Sequence, residues 1–109
     1  MAYTPIFTVD APDRDEIDAR PGLFLLEFGV DWCPHCQGAQ PLIETALADY
    51  PELPHLKIED GPGRRLGRSY RVKLWPTLVL IRDGQEIERL VRPTRQAEIA
   101  AALGRLQVG

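Results

Sequence analysis

Hydrophobic residues fall along the chain in short continuous runs, separated by stretches where they recur every three or four positions. Leu23-Phe24-Leu25-Leu26-Glu27-Phe28-Gly29-Val30 and Leu78-Val79-Leu80-Ile81 are apolar on both faces, the pattern of strands sandwiched between helices. Ile6-Phe7-Thr8-Val9 is shorter and has Pro5 at its mouth, which suits an edge strand. In Pro54-His55-Leu56-Lys57-Ile58-Glu59 the polarity alternates; a strand there puts His55, Lys57 and Glu59 on the face opposite Leu56 and Ile58. A single histidine in such a place reads as an ordinary surface or strand-end residue. Asp83-Gly84 is a two-residue hairpin signal, from which a return strand over Glu86 to Val91 follows.

The three-and-four spacing predicts the helices. Cys36, Ala39, Ile43, Ala46, Leu47 and Tyr50 share one face of a helix from Pro34 to about Ala48. Pro41 lies inside it and must kink it, because the ring removes an N–H. Asp13 and Glu16 form a capping pattern for a short helix through Ile17 to about Ala19. Residues 64–73 predict another, with Leu66 and Tyr70 inward and Gly67 weakening it. Thr94 is placed to cap the last helix, whose buried face is Ile99, Ala102, Leu103 and Leu106 and which frays at Gly104 or beyond. The order is strand, helix, strand, helix, strand, helix, hairpin, helix. This is an α/β arrangement.

Composition narrows the picture. A chain of 109 residues, 44% hydrophobic and 27% charged, has the size and balance of one globular domain over residues 1–109 with a modest core. The formal net charge of −3 supplies no general argument for nucleic acid or a membrane surface as partner. No apolar run approaches the ~18 residues of a spanning helix, and the first residues lack a basic segment followed by an apolar one. A cytoplasmic protein is therefore expected, although a mature form whose leader has been removed reads the same way. Five acids crowd residues 10–18 and read as a solvated helix face. Residues 64–73 hold Arg64, Arg65, Arg68, Arg71 and Lys73 without an acid; this is either a solvated face or a surface that steers an acidic protein partner.

The candidate chemistry sits in Asp31-Trp32-Cys33-Pro34-His35-Cys36, which holds both cysteines of the chain. Pro34 suits a first helical position, so Cys33 falls at a helix start, where free N–H groups and the macrodipole favour negative charge. A thiol there, beside His35, has its pKa lowered, and the thiolate is the form that attacks disulfides. Cys36 lies one turn further in, on the buried stripe. Cys33 then reads as nucleophile and Cys36 as resolving thiol. Two inert structural thiols, or half of a zinc site, are the alternatives; zinc needs about four ligands, and only His35 and His55 could add imidazoles. Glu27 interrupts a buried strand. It either ends the strand in solvent or is a buried acid that passes protons to the resolving sulfur.

Taken together, Trp32-Cys33-Pro34-His35-Cys36 after a buried strand, Pro41 in the helix, Pro76-Thr77 before the hairpin and Gly84 within it resemble the thioredoxin family over nearly the whole chain. The resemblance implies a thioredoxin-like fold: a central mixed sheet of about five strands, mostly parallel with an antiparallel hairpin, flanked by helices on both faces. It places Pro76 as a cis-proline facing the dithiol, Glu27 as the family's buried acid and Lys57 as the lysine that accompanies it. Three features depart from the pattern. Pro34-His35 replaces Gly-Pro and is similar to strong periplasmic thiol oxidases; Leu74 and Trp75 replace small groove residues; Arg92 stands where the family has a glycine.

The expected activity is thiol–disulfide exchange with protein disulfides, as a cytosolic reductase recycled by a partner reductase or oxidase. No cofactor is expected beyond the Cys33–Cys36 dithiol/disulfide, no metal, and a monomeric state. Cys33, Cys36, His35, Pro34, Glu27 and Lys57 would carry the chemistry; Trp32, Trp75, Pro76 and Arg92 would line the recognition surface. Reference thioredoxin and the Pro-His oxidase lie about 150 mV apart, roughly 7 kcal/mol for two electrons. Compartment therefore decides direction, and export would make the same site an oxidase or isomerase. Other classes consistent with the residues are a binding or assembly module that keeps the fold without turnover, and a metallochaperone using the two thiols.

Overall fold

A computed structural model describes residues 3–107 of the chain. The elements run α1 (Arg14–Ala19), β1 (Leu23–Gly29), α2 (Pro34–Leu47), β2 (His55–Glu59), α3 (Arg65–Ser69), β3 (Thr77–Arg82), β4 (Gln85–Val91) and α4 (Gln96–Gln107). One sheet has the order β2-β1-β3-β4. β1 runs parallel to β2 and antiparallel to β3, and β3 is antiparallel to β4.

The sheet thus holds four strands rather than about five, and two of its three pairings are antiparallel rather than mostly parallel. Residues 6–9 supply only a parallel bridge from Thr8 to Ile58. Thr8 N–H donates to the Lys57 carbonyl at 2.8 Å, and Glu59 N–H donates to the Thr8 carbonyl at 2.9 Å. Pro5 on one side and the Asp10-Ala11-Pro12 turn on the other leave no length for a ladder, and Ile6 and Val9 face outward.

Strand period explains which residues meet which layer. Phe24, Leu26 and Phe28 of β1 join Val79 and Ile81 of β3 against Ile17, Leu66 and Tyr70. Leu25, Leu78 and Leu80 point the other way, against Ala39, Ile43 and Leu47 of α2 and Ile99 and Leu103 of α4. Each fully buried side chain of this size contributes about 1.5–3 kcal/mol before entropy is counted. Both layers grip β1, so the loop that leaves its end starts from a rigid platform. Glu27 and Gly29 share the parity of Leu25 and therefore face α2.

Local chemistry sets the boundaries. Asp83 and Gly84 have φ of 51° and 82°, the conformation a two-residue hairpin turn requires. α3 is shorter than the 64–73 expected: Arg71 adopts φ of 56°, and a left-handed residue ends a helix. Leu66 and Tyr70 are buried as the spacing implied. Thr94 does not cap α4; it lies before the first turn, where its N–H and hydroxyl both approach the Glu98 carboxylate at 3.4 Å.

Candidate active site

β1 ends at Gly29, and four residues later Cys33 caps α2 with extended backbone (φ −83°, ψ 123°) while Pro34 opens the helix. Gln37 N–H donates to the Cys33 carbonyl at 2.9 Å, and the Gln37 amide donates to the Asp31 carbonyl at 3.0 Å. Both cysteines are free thiols. Burial works against ionisation of Cys33, but the Cys36 backbone N–H, the Cys36 thiol, the His35 backbone N–H and the Arg92 charge together bring its pKa below that of an ordinary thiol. His35 therefore contributes through its main chain. Its side chain is exposed on the first turn of α2, and Arg92 adds a positive charge that favours the thiolate.

Cys36 is in the opposite situation. Burial pushes its thiol up to about 12, and the neighbouring Cys33 and Glu27 charges add to this against a backbone hydrogen bond at Val30. Its sulfur fits only because residue 29 has no side chain: a Cβ there would stand 2.6 Å from Cys36 Sγ and 2.8 Å from Phe7 Cζ. Phe7, Val30, Cys33 and Cys36 form an apolar patch of their own, closed by Trp75.

Beneath Cys36 lies a polar cluster. Glu27 is fully buried, so the solvent-facing strand end weighed from the sequence is not what forms. Its carboxylate accepts from the Gln40 amide at 2.9 Å and from His55 Nε2 at 2.8 Å. The same Gln40 nitrogen donates to the Cys36 carbonyl at 2.9 Å, and Gln40 Oε1 accepts from the Tyr3 hydroxyl at 2.9 Å. Lys57 is the Cα partner of Glu27 across β1 and β2 and is buried, yet its ammonium donates to the Pro5 carbonyl at 2.9 Å and lies 4.5 Å from the Phe7 ring centre. Burial lowers its pKa against the pull of Glu27, Asp31 and Cys36. The residue bonded to the buried acid from β2 is thus His55, not Lys57. His55 does stand at a strand end, as the first residue of β2, but its side chain is fully enclosed rather than on the surface.

Gly29, Gln40 and His55 are the site residues that sequence reasoning passed over. A glycine inside an apolar strand is a sign of close approach, and Gln40 stands one helical turn beyond Cys36. His55 shared a face with Lys57 in the alternating strand, but nothing in one sequence says that this face is turned to Glu27.

Around the dithiol the recognition candidates do converge. Trp32, 72% exposed, stands edge-on to Trp75 with ring centres 5.8 Å apart. Trp75 Nε1 donates to Asp60 at 2.8 Å, and the Trp75–Pro76 peptide bond is cis. Arg92 takes a left-handed φ of 50°, a conformation natural to glycine. Its N–H donates to the Pro76 carbonyl at 2.9 Å and its Nε to the Trp75 carbonyl at 2.8 Å. On the far side of Trp75 an open cavity of about 470 Å³ is bordered by Arg64, Arg68, Arg71 and Lys73. Arg64 is paired with Glu59 at 2.7 Å; Arg68, Arg71 and Lys73 make no ion pair among the described residues.

Comparison with known proteins agrees with this geometry. The thioredoxin family model matches residues 7–105. The thioredoxin of Chlamydia trachomatis is 37% identical over 70 residues, covering 64% of this chain and 69% of its own length. That of Staphylococcus aureus is 28% identical over 94 residues, 84% of this chain and 85% of the relative. Thioredoxin 2 from Pseudomonas aeruginosa PAO1 in its reduced form superposes with a TM-score of 0.87 at 54% identity, over 95% of this chain and 96% of that one. A match running from Phe7 past the dithiol loop and the cis-proline into the last helix means that this chain belongs to the thioredoxin family, as a thiol–disulfide oxidoreductase.

Proposed function

We propose that the chain works as a reductase of protein disulfides in a reducing compartment, the cytosol, and that a partner reductase returns it to the dithiol state. The observation that carries this reading is the asymmetry of the two thiols: Cys33 stands at the N-cap of α2 with its pKa brought below that of an ordinary thiol, while Cys36, one turn in and fully buried, is pushed up to about 12. In the first step the Cys33 thiolate attacks one substrate sulfur and forms a mixed disulfide, and the other substrate sulfur leaves with the electron pair and takes a proton. In the second, Cys36 gives up its proton and attacks Cys33 Sγ. The mixed disulfide breaks, the Cys33–Cys36 disulfide forms, and the substrate is left as a dithiol. Glu27 is the buried group nearest this role by its bridge through Gln40, and Lys57 adds a positive charge on the same face. Pro34 starts the helix that supplies the His35 and Cys36 amides, while Trp32, Trp75, Pro76 and Arg92 form the wall against which substrate backbone is laid.

The test is reduction of insulin disulfides with a chemical dithiol as electron source. Turnover well above the dithiol alone is expected; none would leave a binding module. Iodoacetamide at pH 7 should alkylate Cys33 and leave Cys36 intact, because a thiol with a pKa of about 12 is almost wholly protonated there.

The cations flanking Trp75 favour a refinement in substrate choice. Disulfides with acidic neighbours are attracted to Arg68, Arg71 and Lys73, and screening weakens such attraction as salt shortens the Debye length from about 30 Å at 0.01 M to about 8 Å at 0.15 M. kcat/KM for an acidic disulfide peptide should fall several-fold over that range, and a neutral peptide should show no such fall. Equal salt responses for the two peptides would count against steering.

A further inference from the structure

Of the polar groups the exchange reaction does not directly use, His55 is the most tightly specified. Nδ1 accepts the Thr4 N–H at 2.8 Å, so the hydrogen-bond network puts the ring proton on Nε2. That proton is donated to Glu27 Oε1 at 2.8 Å, with both side chains fully enclosed. The ring is also clamped from outside, since the Thr4 hydroxyl donates to the His55 carbonyl and the Tyr3 ring lies tilted beside the imidazole with centres 5.6 Å apart. On the other side of the carboxylate, Gln40 ties Glu27 to the main chain of Cys36. A continuous chain of hydrogen bonds therefore runs from Thr4 through His55, Glu27 and Gln40 to the resolving cysteine. The titratable groups facing Glu27 are His55 and Lys57 from β2, Cys36 from α2 and Tyr3 from the N-terminal segment.

We propose that His55 is a positioning residue for the resolving step, presenting the Glu27 carboxylate beneath Cys36 as an oriented proton acceptor. This rests on the reading of Glu27 given above. In the step concerned the Cys36 proton passes to Glu27, the Cys36 sulfur bonds to Cys33 Sγ, and the Cys33–substrate bond breaks with its electrons going to the substrate sulfur. That sulfur is protonated from water, and Glu27 returns its proton to solvent. Two electrons leave the cysteine pair and two reach the substrate disulfide, so no further reactant is needed. Fixing one carboxylate oxygen with His55 leaves Oε2 and its Gln40 bond turned to α2.

The two steps can be timed separately with 5,5′-dithiobis(2-nitrobenzoate), because attack by Cys33 releases one coloured thiolate and resolution by Cys36 releases the second. His55→Leu should leave the first phase at its wild-type rate and slow the second roughly 10-fold, against the roughly 10²-fold expected when a positioned proton acceptor is lost in Glu27→Gln. His55→Gln keeps a donor at the Nε2 position and should restore most of the rate, and His55→Leu combined with Glu27→Gln should be no slower than Glu27→Gln alone. Where His55→Leu does not fold, His55→Asn, whose shorter amide does not reach Glu27, replaces it; a wild-type first phase certifies the fold. A wild-type second phase in the donor-less variant, a slow His55→Gln, or additive losses in the double variant would each overturn the proposal while Glu27→Gln remained slow. An unchanged second phase in Glu27→Gln would instead remove the Glu27 reading itself, and His55 with it.

Discussion

Cys33→Ser is expected to bring disulfide reduction down to the level of the chemical dithiol alone, a loss of roughly 10³-fold or more, the scale on which removing an activated nucleophile is felt. The hydroxyl that replaces the thiol does not ionise near neutral pH, and the His35 and Cys36 amides and the Arg92 charge that favour the thiolate have nothing to act on. Cys36→Ser should behave differently. Cys33 still attacks, but nothing resolves the product, so the variant should accumulate mixed disulfides visible as higher-mass bands on non-reducing gels and lost on addition of dithiol. Because Cys36 is 1% exposed and Cys33 6%, the exchange is not symmetric: the outer sulfur meets the substrate and the inner one meets only Cys33. Equal trapping by the two serine variants would contradict that order.

The second large effect is expected at Gly29. In Gly29→Ala one methyl group would sit 2.6 Å from Cys36 Sγ and 2.8 Å from Phe7 Cζ, in a place where both neighbours are buried. Neither can swing into solvent without opening the apolar patch around the dithiol. Overpacking of this kind costs about 1–3 kcal/mol, and each kcal/mol lowers Tm by roughly 4–8 °C in a domain near this size. A Tm loss of that order, together with a slower release of the second thiolate, is expected because the methyl group pushes the resolving sulfur away from its place under Cys33. Wild-type melting with wild-type resolution would show that the strand has room after all. Gly38 is the control, since a Cβ there meets nothing within 4 Å.

Arg92 and Arg71 illustrate a different limit on what a chain's pattern tells. Both adopt left-handed φ, at 50° and 56°, and neither residue type announces such a turn. Arg92 holds the conformation because two of its own groups bond the carbonyls of Trp75 and Pro76, partners seventeen and sixteen positions away in the sequence. The same side chain adds a positive charge that favours the Cys33 thiolate, a contribution from across the groove that no residue adjacent to Cys33 in sequence announces.

What the sequence by itself determined are the features whose causes are local. Continuous apolar runs name the two buried strands; Asp83-Gly84 names the hairpin; Pro34 behind Cys33 names a helix that begins at a thiol. Each follows from the sterics or hydrogen bonding of a few adjacent residues, and the same short stretch carries the spacing of the dithiol. Tertiary structure alone decided which strands pair and which polar groups meet inside. The run at 6–9 has a strand's composition; that its single bridge goes to Ile58 of β2 was settled only in the fold. Gly29, Gln40 and His55 became site residues only when register turned one face of β1 and β2 toward α2. Burial then forced the polar groups of that face to find partners: Glu27 took His55 and Gln40, and Lys57 took a carbonyl of the N-terminal segment.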